Sequence, residues 1–290
     1  MRKMKRITAL VSALLVGAAA ALPIFARESC TAADLAQNGR MYENRVKVSI
    51  DGRDYGGDVF IIANTAYVGL RDFVSFIDSP SVSWNSDTST ADVRTADLKM
   101  SVTADSNVIS ANGRALWCEF GSFVYGGKMY VPARQISRAF GFSCSYSAED
   151  RTSYMTRERS AIESGDSYYN ADELYWLSRI IEAEAGAEPF DGKLAVGGVI
   201  ANRVKSSEFP NSIVGVIFDS AHGIQFTPVA NGAIYNTPSA DSVLAAKLTL
   251  EGVSNIGGAL YFMNSKLAQS FWIVNNCTYV MSIGGHDFYS

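Results

Sequence analysis

Two stretches of this chain read as copies of each other. Thr65-Ala-Tyr-Val-Gly-Leu-Arg-Asp-Phe-Val74 aligns with Lys128-Met-Tyr-Val-Pro-Ala-Arg-Gln-Ile-Ser137 after a shift of 63 residues. Val82-Ser-Trp84 and Cys144-Ser-Tyr146 follow at nearly the same shift. An internal repeat means one supersecondary unit made twice, with the copies burying their apolar faces on each other. Each copy reads as a hairpin, then a short helix opening near Arg71 or Arg134, then a closing strand. The flanking sequence is also β-like. Val46-Lys-Val-Ser-Ile50 alternates into the turn Asp51-Gly52, Val59–Ile62 reads as a short buried strand, and Lys99-Met-Ser-Val-Thr103 alternates again. One β-rich domain with an internal duplication is expected over residues 41–158.

The second half changes period. Leu174, Leu177 and Ile181 recur at helical spacing, and one turn further the same face carries Glu184, with Glu182 pointing away. Asp172 is read as the cap that opens this helix. Gly186 is read as its C-terminal cap, and Pro189 forces Glu188 out of helical geometry. A carboxyl on a buried face at the negative end of a helix dipole has its pKa raised, the direction a general acid needs. The bland alternative is a buried Glu184 paired with Arg203. A second helix is expected over about 192–205, with Gly197-Gly198 allowing close approach. A short one is expected at 213–218, a long loop over 219–237, and a helix capped at Thr237-Pro238 running to about Gly252. The tail reads as β-like at 259–263, 271–274 and 279–283.

At the N-terminus, Arg2, Lys3, Lys5 and Arg6 precede an apolar run from Ile7 to Phe25, the pattern of a signal peptide ending at Ala26. Its removal deletes four positive side chains and no negative one, taking the formal charge from −4 to −8. An uncleaved anchor is the competing reading. Nothing in the charge or its distribution suggests a nucleic-acid partner. The four cysteines, Cys30, Cys118, Cys144 and Cys277, match no metal or redox spacing. Export allows a Cys118–Cys144 disulfide, against four free thiols. With only His222 and His286 available, no metal or other cofactor is expected.

The strand Tyr130-Val-Pro-Ala-Arg134, with its weaker copy Tyr67–Arg71 in which Gly69 replaces the proline, resembles the copper amine oxidase N-terminal-like domain of exported bacterial proteins. Two roles fit: an inert spacer, or a wall-binding module using Trp84, Tyr125 and Trp117, with core packing as the alternative for those rings.

From Leu174 onward the chain is similar to the cell wall hydrolase family of spore cortex-lytic enzymes. The resemblance rests on motifs in order: Glu-Ala-x-x-Glu-Pro at 184–189, Ala-Val-x-x-Val-Ile-x-Asn-Arg-Val at 195–204, Phe-Pro-Asn-Ser-Ile with Gly-Val-Ile at 209–217, Gln-Phe-Thr-x-Val at 225–229, Gly-Ala-Leu-Tyr-Phe-x-Asn at 258–264 and Ile-Gly-Gly-His-x-Phe-Tyr at 283–289. The chain departs from the family at Gly186, where an arginine is usual.

The resemblance implies a mainly helical, lysozyme-like catalytic domain that cuts peptidoglycan between N-acetylmuramic acid and N-acetylglucosamine. Glu184 would be the catalytic residue, and lytic transglycosylation suits a single carboxyl. Glu188, Gln225, Phe226, Thr227, Tyr261, Asn264 and Trp272 are expected to contact substrate. His286 is read as a structural hydrogen-bonder. A hydrolytic muramidase would need a second carboxylate, Glu188 or Asp191. A non-catalytic wall-binding protein is the reading from another class, and a metal-dependent amidase lacks its ligands.

The expected fold is thus α+β: an exported, monomeric two-domain chain. It comprises a signal peptide at 1–26, the duplicated β-rich domain at 41–158, a linker at 159–170 and the catalytic domain with a small β tail at 171–290. The resemblance implies peptidoglycan as the chain's partner; no nucleic acid and no stable membrane insertion once the signal is cleaved are expected.

Overall fold

A computed structural model of the protein describes residues 42–43, 46–78, 80–221, 225–265 and 272–290. The expected signal peptide, Cys30 and His222 lie outside these.

The N-terminal region is β-rich. After β1 (Tyr42–Glu43), the hairpin β2 (Lys47–Ile50) and β3 (Arg53–Asp54) turns through Asp51 and Gly52, both at positive φ, as the Asp-Gly pair predicts. The first repeat copy follows as β4 (Val59–Ile62), β5 (Thr65–Gly69), α1 (Leu70–Ile77), β6 (Ser81–Asn85) and β7 (Thr90–Arg94). A meander of β8 (Lys99–Thr103), β9 (Val108–Ala111) and β10 (Arg114–Trp117) leads to the second copy. That copy is β11 (Phe123–Tyr125), β12 (Lys128–Pro132), α2 (Ala133–Ala139), β13 (Phe142–Ser147) and β14 (Thr152–Arg157). Each copy therefore closes on a second hairpin rather than on the single strand expected. Trp84 faces Ala91 in the first, and Tyr146 faces Ser153 in the second.

The two copies meet where β5 and β12 pair antiparallel. Val68 lies opposite Val131, flanked by Tyr67 opposite Pro132 and Gly69 opposite Tyr130. Advancing Tyr67 by the repeat length gives Tyr130, and Gly69 gives Pro132, so each flanking pair is the image of the other. A pseudo-two-fold axis passes between Val68 and Val131. Because strand side chains alternate, this sheet feeds two cores. Val68, Val131, Phe73, Ile136 and Phe140 are buried on one face, and Tyr67, Phe123 and Tyr130 on the other.

The stretch 159–170, expected as a linker, is fastened along its length. Ile162 N donates to Ala139 O at 2.9 Å and Gly165 N to Asn112 O at 2.7 Å, with Ile162 and Tyr169 both buried. A one-turn helix, α3 (Gly165–Tyr168), lies within it. The C-terminal region then runs α4 (Ala171–Ala185), α5 (Phe190–Lys205), α6 (Ile213–Ile217), α7 (Thr227–Asn231), a 3₁₀ turn (Ala233–Tyr235), α8 (Ala240–Leu250), β15 (Tyr261–Met263), α9 (Trp272–Asn276), β16 (Tyr279–Ile283) and β17 (His286–Tyr289). The last three strands form a sheet in the order β15-β17-β16.

Several local expectations are corrected. Asn170, not Asp172, caps α4, its Oδ1 accepting from Asp172 N at 3.0 Å and Glu173 N at 3.1 Å. Ser239, not Thr237, caps α8. The supposed loop 219–237 holds α7 and the 3₁₀ turn, Pro228 starting α7 with its preset φ. The segment near 271–274 is helical from Trp272. As expected, Gly197 lets helices close in: a Cβ there would lie 2.3 Å from Thr249 Oγ1 on α8.

The two regions are joined by a buried ionic cluster. Glu251, just past α8, accepts from Arg114 Nε at 2.7 Å and Arg114 Nη2 at 2.8 Å, from Arg138 at 2.8 Å, and from Tyr169 Oη at 2.9 Å. The Arg114 and Glu251 side chains are 6% and 2% exposed. Beside them Ala115, Leu194 and Leu248 pack together with Trp117, which is thus a packing residue. Cys118, Cys144 and Cys277 are free thiols.

Candidate active site

The last turn of α4 opens on a cleft of about 1140 Å³, with Glu184 at its wall. Leu177, Ile180, Ile181 and Ala185 are buried on the face of α4 that packs into the helical core. That packing fixes the rotation of the helix and turns Glu184 toward the cleft. Burial pushes the Glu184 carboxyl up to about 7, with the nearby Arg203 charge pulling the other way. No hydrogen bond or ion pair joins Glu184 to Arg203 among the described residues. The bland pairing does not form.

Arg203 comes from α5 and is itself buried. Its Nε donates to Leu260 O at 2.7 Å. Its guanidinium lies 4.8 Å from the Phe209 ring centre, 5.4 Å from that of Phe226 and 5.5 Å from that of Tyr261. Cation–π contact with three rings compensates part of the lost hydration. The Arg203 Nη1 has no hydrogen-bond partner among the described residues.

Two residues back, Glu182 faces elsewhere. Its Oε2 accepts from Ser239 N at 3.0 Å, Ser239 Oγ at 2.6 Å and Ser242 Oγ at 2.7 Å, tying α4 to the start of α8. The Ser239 hydroxyl and then that of Ser242 hold this carboxyl below its usual range. Past the helix end, the buried Lys193 ammonium donates to Ala185 O at 2.8 Å, Gly186 O at 2.6 Å and Glu188 O at 2.9 Å. Gly186 is the C-cap residue but keeps right-handed φ, so this lysine rather than a left-handed glycine satisfies the terminal carbonyls.

The cleft gathers most of the residues expected from the sequence: Gln225, Phe226, Thr227, Tyr261, Asn264 and Trp272 all line it. Tyr261 and Trp272 meet edge-to-face at 6.1 Å, with Trp272 55% exposed. Glu188 is not brought in. Its carboxylate accepts from Gly285 N at 2.7 Å and acts as a strut between the α4–α5 turn and the β16–β17 turn. Asp191 is also outside the lining, at the start of α5. The sequence reading missed Glu208 and Asp219, the two other carboxylates of the cleft, and left Arg203 as a mere counter-ion. His286 also lines it; its ring packs edge-on to Phe262 at 5.2 Å, and its Nδ1 has no partner among the described residues. Burial lowers the pKa of His286 against the opposing pull of Glu188 and Asp287.

Residues 187–289, which supply nearly all of this cleft, match the family described as Cell Wall Hydrolase. The C-terminal domain is a cell wall hydrolase domain. Residues 49–155 match the copper amine oxidase N-terminal domain. Over 120 residues the chain is homologous to spore cortex-lytic enzymes. The enzyme of Bacillus cereus is 37% identical, covering 41% of this chain and 45% of that one. The enzyme of Halalkalibacterium halodurans is also 37% identical, over 41% of this chain and 35% of that one. The chain thus spans less than half the length of these relatives. The solved catalytic domain of the germination-specific lytic transglycosylase SleB from Bacillus anthracis is 35% identical, covering 44% of this chain and 100% of that one, with a TM-score of 0.40.

Gly186, just before the matched residues, is closely packed on its own helix. A Cβ at that position would lie 2.5 Å from Glu182 O and 3.0 Å from Glu182 Oε1, so the helix end seen here has no room for a side chain.

Proposed function

We propose that the protein cleaves the glycan strands of peptidoglycan, in cell wall or spore cortex, between N-acetylmuramic acid and N-acetylglucosamine. The observation that carries this reading is the Glu184 carboxyl, raised to about 7 and free of any ion pair among the described residues, in an open cleft walled by Tyr261 and Trp272. A carboxyl that stays protonated near neutral pH can donate a proton to a glycosidic oxygen. The membership of this domain in a wall-hydrolase family supports the substrate.

The same group can serve both halves of a lytic transglycosylation. Glu184-COOH gives its proton to the leaving oxygen as the C1–O bond breaks. The resulting carboxylate takes the proton of the muramic C6 hydroxyl as O6 bonds to C1, closing a 1,6-anhydro ring and restoring Glu184-COOH. No water enters and no second carboxylate is needed. Arg203 tempers the rise in the Glu184 pKa, so that the group can also exist as a base.

Asp219 and Glu208 favour a second reading, hydrolysis, because either can be the carboxylate that activates water. Glu188 no longer fits that role.

The chain is proposed to act outside the cytoplasm as a monomer, exported by its N-terminal segment. Among the described residues no helix is long and apolar enough to cross a membrane. The test is release of soluble material from purified sacculi by the full chain and by Glu184→Gln. Loss of release by about 10²- to 10⁴-fold in a folded variant is expected; an active Gln variant would overturn the assignment.

A further inference from the structure

The duplication in the N-terminal region builds more than a core. Two clefts open on opposite sides of the pseudo-two-fold axis, of about 740 Å³ and 510 Å³. All twelve residues lining the smaller one have their repeat counterparts in the lining of the larger. Arg71 corresponds to Arg134, Trp84 to Tyr146 and Ala91 to Ser153. Each cleft is also assembled crosswise, from the strand–helix junction and closing hairpin of one copy and the first hairpin of the other. In the smaller cleft Gly69–Asp72 meet Gly127–Met129; in the larger, Pro132–Gln135 meet Asn64–Ala66.

What the copies keep is chemically specific. Each cleft has one flat aromatic ring held out from a strand, Trp84 at 46% exposure and Tyr146 at 58%. Each also has one guanidinium, Arg71 or Arg134, that makes no hydrogen bond or ion pair to any described residue. The core residues between them, Val68 and Val131, would hold the fold together without either feature. Exposed rings beside convergent polar donors mark a ligand surface rather than packing. An aromatic face accepts the apolar C–H face of a pyranose, and an arginine fork donates to acetamido or carboxylate oxygens.

We propose that the two clefts are paired binding sites for a glycan strand of peptidoglycan, with Trp84 and Tyr146 as sugar platforms and Arg71 and Arg134 as donors to its acyl or carboxylate groups. The choice of occupant rests on the substrate proposed for the Glu184 cleft. Two sites on one rigid frame act by avidity, so losing one leaves a wall-bound protein and losing both does not. The Glu251 cluster makes the frame continuous with the catalytic region, which would hold Glu184 at the wall between cuts.

Co-sedimentation of the full chain with purified sacculi tests this, in a Glu184→Gln background that keeps the sacculi intact. Trp84→Ala and Tyr146→Ala should each weaken binding by about tenfold or more as avidity is lost, and together by more than about 10²-fold. Trp84→Phe with Tyr146→Phe should restore it. The double Ala variant with Glu184 intact should still cut short soluble glycan fragments at the parental rate, which also shows that it is folded. A double variant that sediments like the parent would overturn the proposal, as would a parent that does not sediment at all. Loss of binding in the double variant from a chain that cuts no peptidoglycan would sink the catalytic reading and leave the binding sites standing.

Discussion

Glu182 and Glu184 stand two residues apart in one helix, and their surroundings drive their carboxyl groups in opposite directions. Ser239 and Ser242 supply hydrogen bonds that keep Glu182 ionised, while burial at the cleft keeps Glu184 protonated. Divergent environments for neighbouring carboxyls are the physical basis for assigning acid and structural roles.

The general acid must be protonated in the free enzyme. With Glu184 near 7, kcat/KM for glycan release should fall with unit slope as pH rises above about 7. A pH–rate profile over soluble glycan fragments measures this directly.

Arg203 lowers the pKa that burial raises, so its removal should lift Glu184 further. In Arg203→Met the descending limb should move to higher pH, and kcat/KM at its plateau should also drop because the aromatic box loses its centre. A limb that stays in place would mean that Arg203 does not act on Glu184.

Glu184→Gln should be more stable than the parent at neutral pH. A carboxyl with a folded pKa near 7 and an ordinary unfolded value near 4.3 costs the fold nothing below about pH 4. The cost grows between the two values and levels off above about 7, at about 4 kcal/mol. Thermal melts should therefore show a higher Tm for the variant at pH 8 and matching values at pH 4.

How much of this was legible in the sequence follows from what each residue depends on. The position of Glu184 was readable because helical periodicity places it on the face of Leu177 and Ile181, and the repeat exposed the two-fold domain because both copies keep Tyr-Val-x-x-Arg. The caps were misread by two residues, since several polar side chains compete at each helix start and tertiary contacts decide. Ser239 won at α8 because Glu182 also binds it. Glu188 is a site candidate only through the family motif Glu-Ala-x-x-Glu-Pro at 184–189. Only the approach of Gly285, nearly a hundred residues later, makes it a strut. Asp219, Glu208 and Lys193 carry no local signal at all; the fold alone puts them where they act.

Lys193 closes the end of the helix that bears Glu184. Lys193→Met would leave three carbonyls at this helix end, the Ala185 one buried, without their donor, at a cost of about 1–3 kcal/mol. A chemical denaturation midpoint well below the parent's, at unchanged slope, is expected.

The Glu251 cluster makes the docking of the two regions acid-sensitive. Burial alone would raise the Glu251 pKa, but Arg114, Tyr169 and Arg138 outweigh it and hold the carboxyl below its usual range. Its contribution is thus present above about pH 4.3 and lost as pH falls through the lowered folded value. Limited proteolysis within 159–170 should begin only below about pH 4, and Glu251→Gln should show it at neutral pH, with a loss of about 3–5 kcal/mol from uncompensated Arg114.

Whether Glu184 serves alone as acid and then base is read from mass spectrometry of the fragments released from purified peptidoglycan. Muramic ends in the 1,6-anhydro form are expected, abolished by Glu184→Gln and kept in Asp219→Asn. Reducing muramic ends, lost together with Asp219, would contradict this and make the protein a two-carboxylate hydrolase.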